Sequence, residues 1–194
     1  PLDGTINSIN IGKGANSVSG NTVLGENALD SGSLSGGFNT AIGEQSMTAN
    51  TSGTENTAVG SRSLDANTTG NRNTAIGQAA LSTATTASNN TAVGDDALAL
   101  NTTASENTAV GFSALTANTT GGNNTAVGNQ SLLSNTTASF NVGVGHHALE
   151  NNSTGASNTA VGSDCLRANT TADNNTAVGK GSLTSNTTGT QNVA

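Results

Sequence analysis

Hydrophobic and polar positions alternate in a short block that recurs along almost the whole chain. The block Asn-Thr-Ala-Val-Gly begins at Asn39 and returns with a constant 17-residue step up to Asn175, and a cut-off copy starts at Asn192. A fixed period this short is typical of one small supersecondary unit copied along an axis. Each copy buries its apolar edge against the next one, so the sequence predicts a repeat array.

Comparison of the copies separates interior from exterior positions in the unit N-T-A-V-G-x-x-A/S-L-x-x-N-T-T-G/A-x-x, numbered here from 1 to 17. Position 4 is Val or Ile, position 9 is Leu except at Met47, and position 8 is always small. Positions 6, 7, 10, 16 and 17 vary widely. We therefore predict that position 4 and position 9 form the interior apolar columns. Because Ala at position 3 points opposite Val on a strand, one of the two is available for contact outside the coil.

The composition of the unit favours strands and turns. A unit of this length is too short for two helices and a loop, and Gly and β-branched residues are poor helix formers. Thr-Ala-Val and Asn-Thr-Thr are each predicted to be short strands. Gly at position 5, from Gly43 to Gly179, indicates a positive φ or a backbone too crowded for a Cβ. Position 15 alternates between Gly and Ala, so it requires a small residue. The predicted fold is all-β, a parallel β-solenoid of 17-residue coils.

Stacked coils place identical positions above one another, so Asn at positions 1 and 12 is predicted to form ladders of hydrogen-bonded amides. Ala84 interrupts the second ladder once. Asparagines of that column also head sequons that would accept glycans in a eukaryotic secretory protein: Asn50, Asn67, Asn101, Asn118, Asn135, Asn152, Asn169 and Asn186. We favour the internal ladder, because it explains the same residues without a glycosylation pathway.

Three segments are predicted from the spacing of the repeats. Residues 1–38 form irregular N-terminal coils or a cap, in which 8–12 resembles a divergent first copy and 21–29 a clear second one. Residues 39–191 form nine even coils, and residues 192–194 start a further, truncated repeat. Terminal units of such arrays are usually atypical because they must cap the stack. Since the sequence ends within a unit, we expect it to be a piece of a longer protein.

Composition argues against several classes of function. The net charge of −7 comes from 12 acidic and 5 basic residues, and aromatic residues make up 2% of the chain. There is thus no basic stripe and no row of aromatics for nucleic-acid binding. No apolar run approaches the roughly 18–20 residues that span a membrane. A disordered low-complexity chain is disfavoured too, because disorder does not require Val or Ile at one fixed position in nine successive copies.

The histidines are the first candidates for chemistry. His146 and His147 are the only two in the chain, and the repeat makes His147 and Asp164 neighbours in adjacent coils. A zinc site needs three or four such ligands with outer support, and these positions are variable. We therefore predict a solvated surface cluster, with no metal and no cofactor.

The remaining candidates also point away from catalysis. Asp95 and Asp96 are adjacent, and neighbouring residues on a strand point apart, so no acid–base pair is expected. Cys165 is the only cysteine, which excludes an internal disulfide. It falls in the small interior column with no base beside it, and is predicted to be a packing thiol. No catalytic triad, phosphate loop or metal motif appears, so the chain is predicted not to be an enzyme.

Copies of N-T-A-V-G-x-x-A-L followed by N-T-T-G or N-T-T-A resemble the repeats of tail-fibre proteins of tailed bacteriophages and of related bacterial surface proteins. The unit is more distantly similar to the head repeats of trimeric autotransporter adhesins, written roughly N-S-V-A-I-G-x-x-A, which are left-handed parallel β-rolls that trimerise. The resemblance implies an extracellular or virion fibre that carries a binding tip toward a host surface. It also implies homotrimerisation and host cell-surface glycans as partners.

The predicted function is a non-enzymatic structural segment of such a fibre. The alternative is an ice-binding β-solenoid, in which exposed rows of Thr and Asn form a regular lattice. Two large apolar side chains per coil are few against the entropy cost of ordering a coil, and parallel coils leave open strand edges at both ends. We therefore expect self-association, either as a homotrimer that buries a face along the solenoid or as a head-to-tail filament.

Overall fold

The computed structural model describes residues 4–6 and 9–194, without the side chains of residues 5, 6, 9 and 10. The fold is an all-β parallel solenoid with even 17-residue coils, as predicted. No helix in this part of the chain is long and apolar enough to cross a membrane. One short 3-10 turn, Ala15–Ser17, accompanies a single sheet whose strands follow chain order: β1 (Gly4–Ile6), β2 (Ile9–Gly12), β3 (Thr22–Gly25), β4 (Thr40–Ile42), β5 (Thr57–Val59), β6 (Thr74–Ile76), β7 (Thr91–Val93), β8 (Thr108–Val110), β9 (Thr125–Val127), β10 (Val142–Val144), β11 (Thr159–Val161) and β12 (Thr176–Val178).

Each coil contributes one strand to this sheet, and the strands stack in the register of the repeat. From β3 onward neighbouring strands are parallel, with Thr57 opposite Thr74 for example. The second predicted strand, Asn-Thr-Thr, is wrong, because this segment bends instead. The backbone N–H groups of Thr51 and Ser52 both donate to the carbonyl of Thr68 in the next coil, at 3.0 Å each. Two donors converging on one oxygen cannot continue as a strand ladder.

The N-terminal segment departs from the predicted stacking. β1, β2 and β3 pair antiparallel, so the prediction that 8–12 is a first solenoid copy is wrong, and Ser8 itself lies outside the described residues. Gly12 and Gly25 are closer in sequence than one repeat, so the chain between them is too short for a full coil. β3 does pair parallel with β4 in repeat register, which confirms 21–29 as a copy. At the other end Thr176 bridges Val193 in parallel, so the truncated repeat continues the stack.

The interior differs from the prediction in one column. Ala58 and the other alanines at position 3 are fully buried, whereas Val110 and the other position-4 residues are half-buried or exposed. The prediction that position 4 lies inside is therefore wrong, while burial of Leu115 and the other leucines at position 9 is confirmed. The leucine column and two asparagine columns already occupy the narrow interior. Strand alternation then turns the methyl of Ala inward and the larger Val outward.

Both asparagine ladders are confirmed. At position 1, Nδ2 of Asn73 donates to Oδ1 of Asn56 at 3.1 Å, and the backbone N–H of Asn73 donates to the same oxygen at 2.9 Å. At position 12, Nδ2 of Asn67 donates to Oδ1 of Asn50 at 2.8 Å. The sequon asparagines from Asn50 to Asn169 are fully buried, so in the folded chain they serve the ladder rather than presenting an amide to a glycosylating enzyme.

The turns depend on left-handed backbone at several positions. Gly60 at position 5 has a φ of 135°, and a Cβ there would meet the carbonyl oxygen of Gly77 at 2.4 Å, so both predicted reasons for glycine hold. Positions 7, 9 and 17 are also left-handed without being glycine, as at Arg62, Leu64 and Arg72 with φ of 56°, 52° and 56°. This conformation costs roughly 1–2 kcal/mol per residue. Backbone hydrogen bonds to both adjacent coils, such as Arg62 N–H to the carbonyl of Glu44 at 2.9 Å, hold it in place.

Candidate functional site

The outward side of the parallel strands forms a continuous, uncharged stripe, which we call the Thr-Val face. It consists of positions 2 and 4 of the nine even coils. Position 2 comprises Thr40, Thr57, Thr74, Thr91, Thr108, Thr125, Val142, Thr159 and Thr176, and position 4 comprises Ile42, Val59, Ile76, Val93, Val110, Val127, Val144, Val161 and Val178. The charged and variable positions lie off the strands, so none of them interrupts this stripe.

The Thr-Val face is long, regular and accessible. Parallel strands stack about 4.8 Å apart, so nine of them extend over about 38 Å. The side chains of Ile76 and Val161 are 40% and 38% exposed, and that of Val178 is 62% exposed. Within the part of the chain that the structure describes, none of the position-2 threonine hydroxyls makes an intramolecular hydrogen bond. A row of exposed aliphatic side chains is the kind of surface that binds another protein when it forms a large contiguous patch.

The Asn-Thr-Thr bends present a second, weaker set of threonines. At position 13 the hydroxyl is used internally, since Oγ1 of Thr68 donates to the carbonyl of Thr85 in the next coil at 3.0 Å. At position 14 the side chains, such as Thr69 and Thr120, are exposed. Of positions 13 and 14, only position 14 therefore offers hydroxyls to solvent. It has no neighbouring row of aliphatic side chains comparable with position 4.

A cluster of charged and imidazole groups lies on the surface of the seventh and eighth coils. His147 and Asp164 are neighbours, as predicted, with 3.7 Å between Nδ1 and Oδ1, and the ring of His146 stacks on that of His147 at 3.6 Å. Glu150 and Arg167 complete the cluster: Oε2 of Glu150 lies 3.7 Å from Nδ1 of His147, and Arg167 contacts both carboxylates. The side chain of His147 is only 17% exposed, so the cluster is less solvated than predicted.

Sequence reasoning missed Glu150 and Arg167 because both occupy position 10, three residues beyond the histidine column. Positions 7 and 10 come together on the surface only because positions 7 and 9 are both left-handed, with φ of 57° at His147 and 54° at Leu149. Neither residue is a glycine, so no composition signal indicates this tight turn. The available signal was a spacing of three residues that occurs in two successive coils, between His147 and Glu150 and between Asp164 and Arg167.

The other candidate residues are kept apart from this cluster. Asp95 is exposed and Asp96 half-buried, and both lie in the turn after β7 rather than on a strand. Cys165 is fully buried, and its Sγ donates to the carbonyl of Ala177 at 3.2 Å. Burial raises the pKa of the Cys165 thiol, which opposes formation of the nucleophilic thiolate. It is a packing thiol, as the sequence predicts.

Comparisons of this chain with protein-family models, with curated proteins and with solved structures found no match. The resemblance to fibre repeats therefore depends on the repeat motif alone, and membership of such a family stays a prediction.

Proposed function

We propose that this chain is a non-enzymatic structural segment of an extracellular or virion fibre, and that it self-associates through the Thr-Val face. The observation that carries the proposal is the uncharged stripe of β-branched side chains along every strand from β4 to β12. Burying apolar surface on association contributes about 25 cal/mol for each Å² removed from water. Because the stripe is repeated on nine coils, each coil adds its own buried apolar area to the free energy of association.

The direction of the stripe favours lateral association over end-to-end stacking. A homotrimer with its three-fold axis parallel to the solenoid axis would bring three Thr-Val faces together along their whole length. A head-to-tail filament would bury only the terminal coils and would leave positions such as Ile76 and Val161 in water. The fibre families that the repeats resemble are trimeric, which points the same way. In a trimer each copy is rotated by 120° relative to the next, so the ring closes and association stops at three.

The mass of the chain in solution tests the proposal. We expect sedimentation equilibrium at micromolar concentration to give three times the chain mass of 18.8 kDa. The double variant Val110→Lys, Val127→Lys would place positive charges at the contact in two coils and should be monomeric with unchanged circular dichroism. The matched control, Thr120→Lys, Thr137→Lys, alters exposed position-14 residues in the same two coils and should stay trimeric.

A dispersed monomer of the unmodified chain would contradict self-association, and a series of masses that grows with concentration would favour the filament. Binding to host cell-surface glycans is expected of the parent fibre rather than of this shaft. A glycan array probed with the trimer and with the full-length fibre separates those two contributions.

Ice binding is the second candidate, and the free position-2 hydroxyls are the observation that favours it. They repeat about every 4.8 Å along the sheet, except at Val142, and no charged residue lies in these strands. A fibre segment that buries this face should show no thermal hysteresis. Hysteresis at micromolar protein, reduced in a Thr108→Leu, Thr125→Leu variant that preserves the fold, would favour ice binding over the fibre.

A further inference from the structure

In the cluster around His147, two carboxylates lie close to one ring nitrogen. Nδ1 of His147 faces two carboxylate oxygens, Oε2 of Glu150 and Oδ1 of Asp164, each at 3.7 Å. One ligand atom from each of His146, His147 and Asp164 lies within 4.8 Å of the others. Groups from two coils thus converge on one small volume, although His147 and Asp164 lie one full repeat apart in sequence.

The orientation of the His147 ring leaves one nitrogen without a partner. Its Nε2 lies 2.8 Å from Oε1 of Gln130, within hydrogen-bonding distance. Nδ1, on the other side of the ring, faces the carboxylates of Glu150 and Asp164. Nδ1 is buried and has no hydrogen-bond partner among the residues that the structure describes. A ring nitrogen that faces two carboxylates is stabilised by positive charge at that point, which a proton on the ring or a bound metal ion supplies.

The spacing and the ligand types suit a transition metal. Two ligands of a tetrahedral zinc ion, each bonded at about 2.0–2.1 Å, lie about 3.3–3.4 Å from each other. The 3.7 Å separations at Nδ1 need only a small contraction to reach that value. The ring of His146 stacks on that of His147, so it would have to turn to direct a nitrogen at the ion, and its exposure to solvent leaves room for that rotation. Imidazole with carboxylate favours Zn²⁺ and similar ions, whereas Ca²⁺ and Mg²⁺ prefer all-oxygen sites. Gln130 would serve as the outer partner that fixes the ring of a metal-bound histidine.

Arg167 is the group that a metal ion would have to displace. Its guanidinium contacts Glu150 through Nε and Asp164 through Nη1, the latter at 3.4 Å. Its side chain is 44% exposed, so it can swing into solvent without disturbing the interior. Glu150, Asp164 and Arg167 together carry one net negative charge, which attracts a divalent cation.

We propose that His146, His147 and Asp164 bind a divalent transition metal of the Zn²⁺ type, with Glu150 within reach as a fourth ligand. The ion would bond to Nδ1 of His147, while Nε2 keeps its hydrogen bond to Gln130. Because the ligands come from the seventh and eighth coils, the bound ion would cross-link two neighbouring coils on the surface. This site lies outside the Thr-Val face, so it does not depend on the proposed fibre function.

The test is calorimetric titration of the untagged chain with zinc chloride at pH 7.5, followed by nuclear magnetic resonance of the imidazole nitrogens. Because the chain has only two histidines, both rings can be assigned without ambiguity. We expect one ion per chain and a shift of the His147 Nδ1 resonance. His147→Gln and Asp164→Asn should each weaken binding about tenfold or more, and Gln130→Leu should weaken it about tenfold.

Two further variants separate a specific site from general attraction to acidic surface. Arg167→Gln should bind Zn²⁺ several-fold more tightly, because the competing cation is gone. Asp95→Asn, which removes an exposed carboxylate in another coil, should leave zinc affinity unchanged. Circular dichroism of each variant checks that the solenoid is intact. The proposal is overturned if a folded His146→Gln, His147→Gln double variant binds Zn²⁺ as tightly as the unmodified chain, or if no imidazole resonance shifts.

Discussion

Ala84 stands next to Asn67 in the position-12 ladder, and Oδ1 of Asn67 is left buried without a hydrogen-bond partner within the described chain. Elsewhere between Asn50 and Asn186 this oxygen accepts the amide of the following coil, as between Asn101 and Asn118 at 2.9 Å. Because Ala84 has no side-chain amide, the position-12 ladder lacks one hydrogen bond at this coil.

Completing this ladder should stabilise the chain. In Ala84→Asn the new amide would donate to Oδ1 of Asn67 and accept from Nδ2 of Asn101. We expect a gain of about 1–2 kcal/mol in the free energy of unfolding, since a buried unsatisfied acceptor gains its partner. Urea unfolding measures it. Ala84→Leu adds similar volume without hydrogen bonds and should not stabilise, and equal gains in the two variants would contradict the ladder explanation.

An aspartate should destabilise the fold on the inward face of a strand and leave it intact on the outward face. Ala109 is fully buried and Val110 is half-buried on the Thr-Val face. Ala109→Asp should cost more than about 4 kcal/mol, because it buries an unpaired carboxylate, and should abolish the β-sheet signal in circular dichroism. Val110→Asp should keep that signal while weakening self-association. Loss of the fold in both variants would show that position 4 is also interior.

Two serines of the same column should have opposite effects when their hydroxyl is removed. Oγ of Ser46 is buried without a partner in the described residues, whereas Oγ of Ser131 donates to the carbonyl of Gly143 at 2.9 Å. Ser46→Ala should therefore raise the free energy of unfolding by about 1 kcal/mol and Ser131→Ala should lower it by about 1 kcal/mol. Thermal unfolding of the pair measures the difference, and a shift of the same sign in both would refute it.

Cys165 should make stability depend on alkaline pH. Burial raises the pKa of its thiol in the folded chain, so the folded state holds the proton more tightly than the unfolded state. The resulting stabilisation is complete below the unfolded thiol pKa of about 8.5 and is lost as pH rises through the folded value. Relative to Cys165→Ala, the unmodified chain should lose stability between neutral pH and pH 10. A difference that does not change with pH would contradict this.

The architecture could be predicted because the repeat leaves few solutions. A strict period, an invariant Gly at position 5 and asparagines in two columns together require stacked coils with internal amide ladders. The face of the strand could not be predicted in the same way. Alternation states only that Ala58 and Val59 point apart, and hydrophobicity favours the wrong one. Which of the two residues faces inward depends on the interior volume. The leucine and asparagine columns occupy most of that volume, so the smaller Ala fits there and Val does not.

Only part of the cluster around His147 could be predicted from the sequence. The column relation between His147 and Asp164 follows from the period alone. The approach of Glu150 depends instead on left-handed backbone at His147 and Leu149, and Leu rarely adopts this conformation. Such a turn is imposed by contacts with the neighbouring coils, so no local window of sequence specifies it.

Most backbone hydrogen bonds of the even coils run from one coil to the next, as from Thr57 N–H to the carbonyl of Asn73 at 2.8 Å. Tension applied along the axis is therefore borne by these bonds and not by the covalent chain. A coil that yields under load would release its whole 17-residue length at once, or roughly 56–61 Å of extended chain. The solenoid would lengthen in equal steps under a pulling force, and each step would dissipate energy before its neighbours fail.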